Sequence, residues 1–568
     1  MLLLLLSLLL PPTLSLTCIP LNTTTTPLSL HLLTQFCVGH LNSLTPNSFY
    51  TLGSNGVQFP TSSSNDQFWL DVLHPEYPVT LKSPVDFIID DCFPLVPDFV
   101  EYNFAKLREF EPILVTLCVS LEALPVAVDE ESDGRIMEAL EGMRMVKNVT
   151  YEWENKSNLE IVEEVFEEYK DGFVKGEVVK IDPGYRWDGG ETPLIYNLAK
   201  DMDYSIVDFA VQNRLFTFFL ANGCVPLTAD HRVEEKIFRH FKKGSSPTAV
   251  YGYDDSVPLF GGDTYEAETN CVREHDIGQV ASTAVNNVNF YNTSGLIENL
   301  EPNPIPVVEY DPEKTYVAFI VGDGDNFWHL KNNHMKLFNE RQTLCLDDPE
   351  SCFPMSWSIA PAAAKYMSDI IRYYDGIAKN TTKDYFVLPP SGSLYSYPGL
   401  FPSDVQDAYI NTMDKDMKVY NTRVSVHWEW FYNWRHAIST YFTKWSEFAS
   451  SPRGFVLANV PYLLPVWIFR GKEYRMVGDN VVLFKPNEWR YSSQKQSHTT
   501  EEMADILNGF EKGYITPVYM TIDGSLEPIQ ATHDLVTKYL DDHVEIVTAE
   551  SLVDLVIEKE AAALAVKK

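Results

Sequence analysis

Two aspartates and an asparagine follow a short apolar run in "VAFIVGDGDNFWHL", residues 317–330. An apolar run bounded by glycine is typical of a central strand of a parallel sheet. The loop after such a strand lies at its carboxyl end, where α/β sheets and barrels bind ligands. Asp323, Asp325 and Asn326 therefore have three interpretations. They are catalytic carboxylates beside an amide that bonds a substrate hydroxyl, ligands of a metal ion, or a polar turn whose aspartates bond nearby amides.

Two further predicted strand ends carry carboxylates. In "HWEW", residues 427–430, Glu429 stands between Trp428 and Trp430. Indole rings stack on sugar rings and would raise the pKa of the glutamate toward the range of a general acid. The alternative is a strand that points tryptophan inward and glutamate outward. In "TIDG", Asp523 ends the last predicted strand, either as a further catalytic carboxylate or as an Asp-Gly turn.

Two histidines indicate a different chemistry. His329 and His334 follow Asp325 closely, and the three residues could hold a divalent metal that activates water, as in sugar deacetylases. The spacing of five places the histidines poorly on one helical face, because helical neighbours are three or four apart. We therefore predict no cofactor, with a divalent metal on Asp325, His329 and His334 as the alternative.

The elements that position these residues alternate between strand and helix. Beyond residue 315, the segments with strand character are "YVAFIVGDGDN", "FPMSWSIAP", "DYFVLPPSG", "RVSVHWEW", "GFVLANVPY" and "TPVYMTIDG". Helical stretches separate them, for example "AAAKYMSDIIRYYDGIAKN". Roughly six to eight such units predict a (β/α) barrel-like domain, either TIM-type or the seven-stranded type of the deacetylases.

The region before residue 300 has the same alternation. Helices are predicted over 28–42 and 158–173, and buried strands over 85–91 and 113–121, which indicates one or two α/β domains. The proline-rich "LEPNPIPVVEYDPEKTY" is typical of a linker. The predicted organisation is a signal peptide over 1–17, an N-terminal α/β region over 18–300, a linker over 301–315 and a barrel-like catalytic domain over 316–560.

Composition narrows the class of protein. The chain has 568 residues, is 45% hydrophobic and 13% aromatic, and has a formal net charge of −35. Such a composition is that of a folded protein. The negative charge argues against a nucleic-acid partner, because the phosphate backbone would be repelled. The first residues, "MLLLLLSLLLPPTLSLT", have the short apolar core of a signal peptide, and no later segment is apolar enough to span a bilayer. We expect a secreted or endomembrane-lumenal protein without membrane insertion.

Cysteines and glycosylation sequons fit export. The eight cysteines contain no C-x-x-C pair and hence no zinc signature. Cys345 and Cys352 flank a polar loop and are the simplest disulfide to propose, whereas Cys37 lies in an apolar helical pattern and is predicted to be a buried thiol. N-x-S/T sequons begin at Asn22, Asn148, Asn155, Asn292 and Asn380.

The segment "PPSGSLYSYPGLFP", residues 389–402, resembles the motif that names the GxGYxYxxP putative glycoside hydrolases. Gly392, Tyr395 and Tyr397 fall on its motif positions. "YVAFIVGDGDN" is similar to the family's strand ending in S-D-G-D-N, and "PMSWSIAPAAAKY" and "TKDYFVLPPSG" are similar to two further family segments. "QFCVGHLNSLTPNSFYTL" and "DQFWLDVL" resemble its N-terminal domain.

This chain departs from the family pattern at three positions. Leu394 replaces the second motif glycine, Leu400 stands at the motif proline, and Gly322 stands where the family has serine. Because leucine disfavours the positive φ that glycine allows, the turn at Leu394 is either built differently or no longer approaches a ligand closely.

The resemblance implies a fold and a carbohydrate substrate. We predict a secreted enzyme that hydrolyses glycosidic bonds with two carboxylates. The catalytic candidates are Asp323, Asp325, Glu429 and Asp523. The predicted substrate-binding residues are Asn326, Trp328, Trp357, Ser391, Gly392, Tyr395, Tyr397, Trp428 and Trp430. A metal-dependent polysaccharide deacetylase and a glycan-binding protein whose catalysis has lapsed are the alternatives. No oligomeric state is predicted.

Overall fold

A computed structural model describes residues 16–21, 26–53, 62–73, 75, 78–129, 132–181, 183, 204–253, 276–282, 285–301, 303–430, 433–458, 466–491, 497–522 and 528–567. Residues 1–15 of the predicted signal peptide and Asp523 lie outside the described residues. The chain forms two compact units. The first comprises Met1–Lys242, Val250–Cys271 and Ser282–Thr293, and the second comprises Lys243–Ala249, Val272–Ala281 and Ser294–Lys568.

Small parallel sheets organise the first unit. Its strands are β1 (Leu16–Pro20), β2 (Phe49–Leu52), β3 (Val79–Leu81), β4 (Asp98–Tyr102), β5 (Leu124–Ala127), β6 (Arg144–Asn148), β7 (Glu177–Ile181), β8 (Phe216–Phe218) and most of β9 (Thr248–Tyr253). Strand orders are β2-β1-β3, β5-β4-β6 and β9-β7-β8. Pairing is parallel in the first two sheets and between β7 and β8. Parallel neighbours require crossover connections, which helices supply here.

The helices of the first unit include both predicted ones. They are α1 (Leu28–Leu44), α2 (Ser62–Leu73), α3 (Pro84–Phe87), α4 (Phe104–Leu107), α5 (Glu111–Leu121), α6 (Gly134–Ala139), α7 (Val149–Glu152), α8 (Asn158–Tyr169), α9 (Val207–Gln212) and α10 (Ala229–Phe241). The predicted helices over 28–42 and 158–173 are confirmed as α1 and α8. A capping box of Ser157 and Glu160 begins α8.

The two strands predicted over 85–91 and 113–121 are wrong. The first segment forms α3 and a π-helical turn, Ile88–Cys92. The second lies in α5, which has proline in its first turn and is buried along most of its length. A helix that is apolar on every side shows no period of 3.6, so a short apolar run cannot be told from a buried strand by pattern alone.

The second unit contains the region predicted to be catalytic. Its strands are β10 (Ile277–Ala281), β11 (Thr315–Val321), β12 (Met355–Ser358), β13 (Asp384–Val387), β14 (Val424–His427), β15 (Arg453–Leu457), β16 (Tyr474–Val477), β17 (Val481–Phe484), β18 (Asn487–Tyr491), β19 (Ile515–Ile522) and β20 (Val544–Ile546). Six of these strands were predicted from the sequence, and β10, β16, β17, β18 and β20 were not.

Helices alternate with these strands. They are α11 (Phe327–His329), α12 (Met335–Asp347), α13 (Pro361–Tyr366), α14 (Ser368–Thr381), α15 (Ser403–Val419), α16 (Trp434–Ser439), α17 (Tyr441–Phe448), α18 (Thr500–Asn508), α19 (Pro528–Asp534) and α20 (Ala549–Lys567). Among the described residues, none of the helices combines the length and the apolar character needed to cross a membrane.

Two sheets share the strands of the second unit after β10. One has the order β13-β12-β11-β19-β18, is parallel throughout, and has β20 paired with the start of β11. The other has the order β14-β15-β17-β16, in which β16 is antiparallel. The predicted strands in "YVAFIVGDGDN" and "DYFVLPPSG" are β11 and β13, and they contribute to one sheet.

The predicted barrel is not confirmed, because no sheet closes on itself in the described part of the chain. What the structure establishes is a mixed α/β fold with parallel sheets. A single parallel bridge between Leu388 and Ser425 links β13 to β14. On the other side the chain passes from β17 to β18 through Lys485 and Pro486. Proline has no N–H and interrupts a ladder at this point.

One apolar core lies between these two sheets. Ile320 of β11, Val426 of β14, Val482 of β17 and Tyr519 of β19 all belong to it. Side chains of a strand alternate between its two faces. We call the face that carries Ile320, Val426 and Tyr519 the inner face, and the opposite one the outer face.

Two disulfides are present in the described residues. Cys345–Cys352 confirms the predicted bond. Cys37 forms a disulfide with Cys92, so the prediction of a buried Cys37 thiol is wrong. The two residues meet because α1 packs against the π-helical turn that carries Cys92. Cys37 and Cys92 are 55 residues apart in sequence, and no sequence pattern indicates that they would pair. Cys18 and Cys118 are buried free thiols.

Candidate active site

The loop after β11, residues 322–326, is held at two points by neighbouring strands. We call it the aspartate loop. The Gly322 amide donates to the Met520 carbonyl oxygen at 2.7 Å, and the Gly324 amide donates to Ser358 Oγ at 3.1 Å. Asp323 between them has a left-handed φ of 59°. The loop is therefore rigidly placed at the carboxyl ends of β11, β12 and β19, where a ligand would bind in a sheet of this kind.

Glycine is required at both ends of this turn. A Cβ atom on Gly324 would lie 1.6 Å from the Ser358 carbonyl oxygen. A Cβ atom on Gly322 would lie 2.7 Å from the Tyr519 hydroxyl oxygen. The departure at Gly322 thus has a structural reason, because the phenol of Tyr519 occupies the space that a side chain at 322 would need.

Asn326 has a local structural role. Its side-chain oxygen accepts a hydrogen bond from the Trp328 amide at 2.7 Å and caps α11. This contact matches the polar-turn interpretation for Asn326, while its predicted bond to a substrate hydroxyl stays a prediction. Trp328 follows on α11, with its ring 5.1 Å from that of His329.

Asp325 is partly exposed, and its carboxyl group has a raised pKa. Its side chain is partly exposed, and burial of the carboxyl raises its pKa to about 6, opposed only by a hydrogen bond with its own amide. No cation contributes to that shift. A carboxyl group with this pKa carries a proton through the mildly acidic range and is suited to donate it.

Tyr519 lies among the acidic groups. Burial raises the pKa of Tyr519 well above its ordinary value, and the negative charges of Asp323 and Asp325 add to that rise. Glu488 of β18 acts on the phenol in the same direction. The Asp323 backbone bonds the phenol and opposes the shift. The hydroxyl of Tyr519 therefore stays protonated, with three carboxylates near it.

Glu488 was missed by sequence reasoning. It lies in "NEWRY", which was not predicted to be a strand. In the structure Glu488 of β18 is in register with Tyr519 of β19, and Tyr519 is in register with Ile320 of β11. Partners in register point to the same side of a sheet, so Glu488 faces inward. The alternation in "VVLFKPNEWRY" is interrupted by Pro486, and this concealed the strand.

Glu429 lies on the other side of its strand. Val426 and Trp428 face inward, and alternation directs His427 and Glu429 to the outer face. The Glu429 carboxylate accepts hydrogen bonds from the Gly399 amide at 2.8 Å and from the Trp430 amide and Asn433 side chain at 3.1 Å. The structure therefore matches the alternative interpretation, in which the strand points tryptophan inward and glutamate outward. The structure does not bring Glu429 together with the aspartate loop, and its catalytic role stays a prediction.

The segment that resembles the family motif, residues 389–400, forms a compact loop, which we call the motif loop. Ser391 and Gly392 have left-handed φ values of 61° and 90°. Ser391 Oγ donates to the Ser396 carbonyl oxygen at 2.6 Å and accepts from the Trp428 amide at 3.2 Å. Ser391 and Gly392 thus shape the backbone, and their predicted contacts with substrate remain predictions.

Leu394 does not adopt a positive φ. The Tyr409 hydroxyl accepts from the Leu394 amide at 2.9 Å, and its contact with the Leu394 carbonyl oxygen is 2.8 Å. The left-handed positions lie earlier, at Ser391 and Gly392. The turn is therefore built differently, which is the first of the two outcomes expected for leucine at this position.

The motif tyrosines pack against the tryptophans that follow β14. The rings of Tyr395 and Trp428 are 4.4 Å apart and nearly perpendicular, and those of Tyr397 and Trp430 are 5.9 Å apart. Tyr395 exchanges two backbone hydrogen bonds with Gln279 of β10, at 2.8 and 2.9 Å. The structure therefore brings together the predicted aromatic residues of two separate strand ends.

Trp357 is fully buried on the outer face of β12. Its Nε1 donates to Asp384 Oδ1 at 2.9 Å, and its ring stacks on Phe338 of α12 with centroids 3.9 Å apart. Arg341 Nε also contacts Asp384, at 3.2 Å. These contacts hold a helix against the sheet, and they do not place Trp357 beside the aspartate loop.

The histidines of the metal alternative lie at the end of α11 and just beyond it, His329 partly exposed and His334 fully buried. Asn333 contacts His329 Nδ1 at 2.8 Å, and His334 Nδ1 lies 3.3 Å from the His329 carbonyl oxygen. Burial lowers the pKa of His329 to about 4 and that of His334 to about 3. Within the described ranges, no group of three or more His, Cys, Asp or Glu side chains converges as metal ligands would.

Comparison with known proteins supports the resemblance. Residues 313–556 match the family described as GxGYxYP putative glycoside hydrolase C-terminal domain. The matched region contains the motifs of the second unit that resemble this family, whereas the resemblance of the N-terminal segments stays a prediction. No curated protein matches this chain.

Among solved structures, the chain is similar to a putative hydrolase from Bacteroides thetaiotaomicron VPI-5482. The TM-score is 0.69 with 16% sequence identity, over 96% of this chain and 94% of that chain. At this identity the similarity establishes the fold alone.

Proposed function

We propose that this protein hydrolyses glycosidic bonds, from the premise that residues 313–556 carry a glycoside hydrolase-type C-terminal domain. The observation that carries the proposal is Asp325, a partly exposed residue beyond the carboxyl end of a parallel strand, whose carboxyl has its pKa raised to about 6 by burial. Glycosidases need one carboxyl that is protonated at the working pH and a second that is ionised.

Asp325 is the proton donor in this proposal. As the bond between the anomeric carbon and the leaving oxygen breaks, Asp325 transfers its proton to that oxygen. The aspartate loop is fixed to β12 and β19, so the donor is positioned before substrate arrives. Among the residues predicted from the sequence, Asp323 and Asp523 are the candidates for the second carboxylate.

Aromatic groups nearby suit a sugar. Trp428 lies in the same core cluster as Tyr519, with the ring of Tyr395 against it. An indole combines an apolar face for a sugar ring with one N–H donor for a hydroxyl. Carbohydrate is therefore the substrate class we propose.

We also propose that the protein is exported. The apolar N-terminal run motivates the proposal, and the disulfides Cys37–Cys92 and Cys345–Cys352 support it, because such bonds persist in oxidising compartments. Determination of the N-terminal sequence of protein secreted by a eukaryotic host would test it, and recovery of the full-length chain inside the cells would contradict it.

The activity is tested with a panel of 4-methylumbelliferyl glycosides and the Asp325→Asn variant. We expect wild-type cleavage of at least one glycoside and a loss of about 10²–10⁴-fold in kcat for the variant, because the amide cannot donate the proton. Asp479→Asn, in the exposed turn between β16 and β17, is the matched control and should keep wild-type rates. Glycan binding without cleavage would support the lapsed binding protein instead. Chelator-sensitive release of acetate from acetylated sugars would support the deacetylase.

A further inference from the structure

We propose that Glu488 is the second catalytic carboxylate of this site and acts as the general base in an inverting hydrolysis. This inference rests on the proposed function and deepens it, because it names a residue outside every predicted motif. It also predicts the stereochemical outcome of the reaction.

The strand register carries the position of Glu488. Ile320, Tyr519 and Glu488 form one row across β11, β19 and β18, and Ile320 and Tyr519 belong to the apolar core. Glu488 therefore projects from the inner face of the sheet. It is partly exposed, as a group that must reach water should be.

Tyr519 connects the two sides of the site. Its hydroxyl lies against Gly322 at the start of the aspartate loop, and the charges of Asp325 and Glu488 both act on it. Asp325, which follows β11, and Glu488 of β18 thus both lie near Tyr519, although β11 and β18 do not pair with each other. Tyr519 is the positioning residue between them.

The strand order separates the two strands that carry or precede the carboxyl groups. One strand, β19, lies between β11 and β18. Neighbouring strands are about 4.8 Å apart, so the backbones of β11 and β18 are separated by roughly 10 Å. Retaining glycosidases hold their carboxyl groups about 5–5.5 Å apart, whereas inverting ones hold them about 6.5–9.5 Å apart to admit a water. Two strand spacings leave room for a water molecule between the carboxyl groups, which is why the proposed mechanism is inverting.

A second observation points to a ligand at this end of the strands. Trp428 is 7% exposed, and its indole Nε1 has no hydrogen-bond partner among the residues that the structure describes. Trp428 lies in the same core cluster as Ile320 and Tyr519. A buried N–H without a partner is costly, and a substrate hydroxyl would satisfy it.

The proposed step balances. Glu488 takes a proton from a water molecule as the water oxygen bonds to the anomeric carbon. The bond from that carbon to the leaving oxygen breaks, and the leaving oxygen takes the proton of Asp325. The products are a hemiacetal of inverted configuration and an alcohol, and solvent returns the proton from Glu488 to Asp325.

The experiment uses the full chain and the glycoside that wild-type protein cleaves best. Proton NMR of the first product identifies its anomeric configuration. Glu488→Gln should lower kcat by at least about 10²-fold with little change in KM. Azide added to Glu488→Ala should restore turnover and yield a glycosyl azide of inverted configuration, which a merely structural residue would not do. The matched control, Glu447→Gln on the exposed side of α17, should keep wild-type rates.

Each outcome decides between the two proposals. An inverted product together with azide rescue supports Glu488 as the base. A retained configuration, or a Glu488→Gln variant within a few-fold of wild-type kcat, overturns the inference and leaves the proposed function standing. A variant that loses its thermal transition is replaced by Glu488→Asp, which keeps the carboxylate and should retain partial turnover. Wild-type protein that cleaves no glycoside overturns the proposed function and this inference with it.

Discussion

At the scale of single residues, Asp325 makes the fold less stable when it is ionised. Burial raises the pKa of its carboxyl to about 6, against 3.8 for the free group. Between these two pH values the folded state binds a proton that the unfolded state has released. The free energy of unfolding therefore falls as pH rises from about 4 to about 6, and the loss persists at neutral pH.

The Asp325→Asn variant should reveal this cost. We expect it to raise the free energy of unfolding by about 1–3 kcal/mol at pH 7.5, since each unit of pKa shift corresponds to about 1.4 kcal/mol and partial exposure reduces the effect. At pH 4 the gain should be below about 1 kcal/mol, because the native carboxyl is then protonated. Urea unfolding followed by tryptophan fluorescence at both pH values measures the difference.

Asp479→Asn again serves as the control, because Asp479 is exposed in the turn between β16 and β17. It should change stability by less than about 0.5 kcal/mol at either pH. An Asp325→Asn variant that is less stable than wild type at pH 7.5 would show that the carboxylate forms stabilising bonds in its own turn. That result would favour the polar-turn interpretation of the aspartate loop.

At the scale of elements, Glu429 connects the motif loop to the start of α16 by hydrogen bonds. Its carboxylate accepts from the Gly399 amide of the loop and from the side chain of Asn433, the residue before α16. The contact is close enough to exclude any side chain at Gly399, where a Cβ atom would lie 2.4 Å from Glu429 Oε2. Glu429 is 1% exposed, so water cannot replace these bonds if the carboxylate is removed.

Two substitutions of Glu429 separate this role from catalysis. Glu429→Ala should lower the free energy of unfolding by about 2–4 kcal/mol, because the Gly399 and Trp430 amides and the Asn433 side chain lose their acceptor. Glu429→Gln keeps an acceptor oxygen of the same shape, so it should lose about 1 kcal/mol and retain kcat within a few-fold. Urea unfolding and glycoside cleavage measure the two effects. Loss of more than 10²-fold in kcat in a folded Glu429→Gln variant would restore Glu429 as a catalytic carboxylate.

At the scale of the whole molecule, the second unit is not a continuous stretch of chain. It takes in Val272–Ala281, which contains β10, although most of the preceding chain belongs to the first unit. Through Gln279, β10 pairs with Tyr395 in the motif loop. The site of the second unit therefore depends on a segment that lies outside the matched region, residues 313–556.

This organisation predicts how fragments behave. A fragment of residues 294–568 lacks β10 and should lose at least about 10-fold in carbohydrate cleavage or binding, because the backbone of Tyr395 has no partner to hold it. A fragment of residues 243–568 contains both inserted segments of the second unit and is the control. Thermal unfolding and glycoside cleavage compare the two. Equal activity in both fragments would show that the pairing of Gln279 with Tyr395 is dispensable.

Much of the architecture followed from local pattern. The apolar run before Asp323 was predicted as a strand and is β11, and the amphipathic pattern over 158–173 was predicted as a helix and contains α8. In both cases the period of the apolar residues matches the element, and glycine or a capping residue marks its end. Local pattern was ambiguous over 113–121, where a helix buried on all sides has no polar face.

Some features of the candidate site also followed from local sequence pattern, and others did not. Sequence by itself placed Asp323 and Asp325 at the end of a parallel strand and the motif tyrosines in a loop, because strand ends and turns are local properties. Only the tertiary structure decided which side chains share a face. In the tertiary structure Glu429 points to the outer face, opposite to its neighbour Trp428. Glu488 lies in register with Tyr519 and Ile320 across three strands. Strand register depends on contacts between residues far apart in sequence, and a shift of one residue reverses every side chain, so no single segment contains that information.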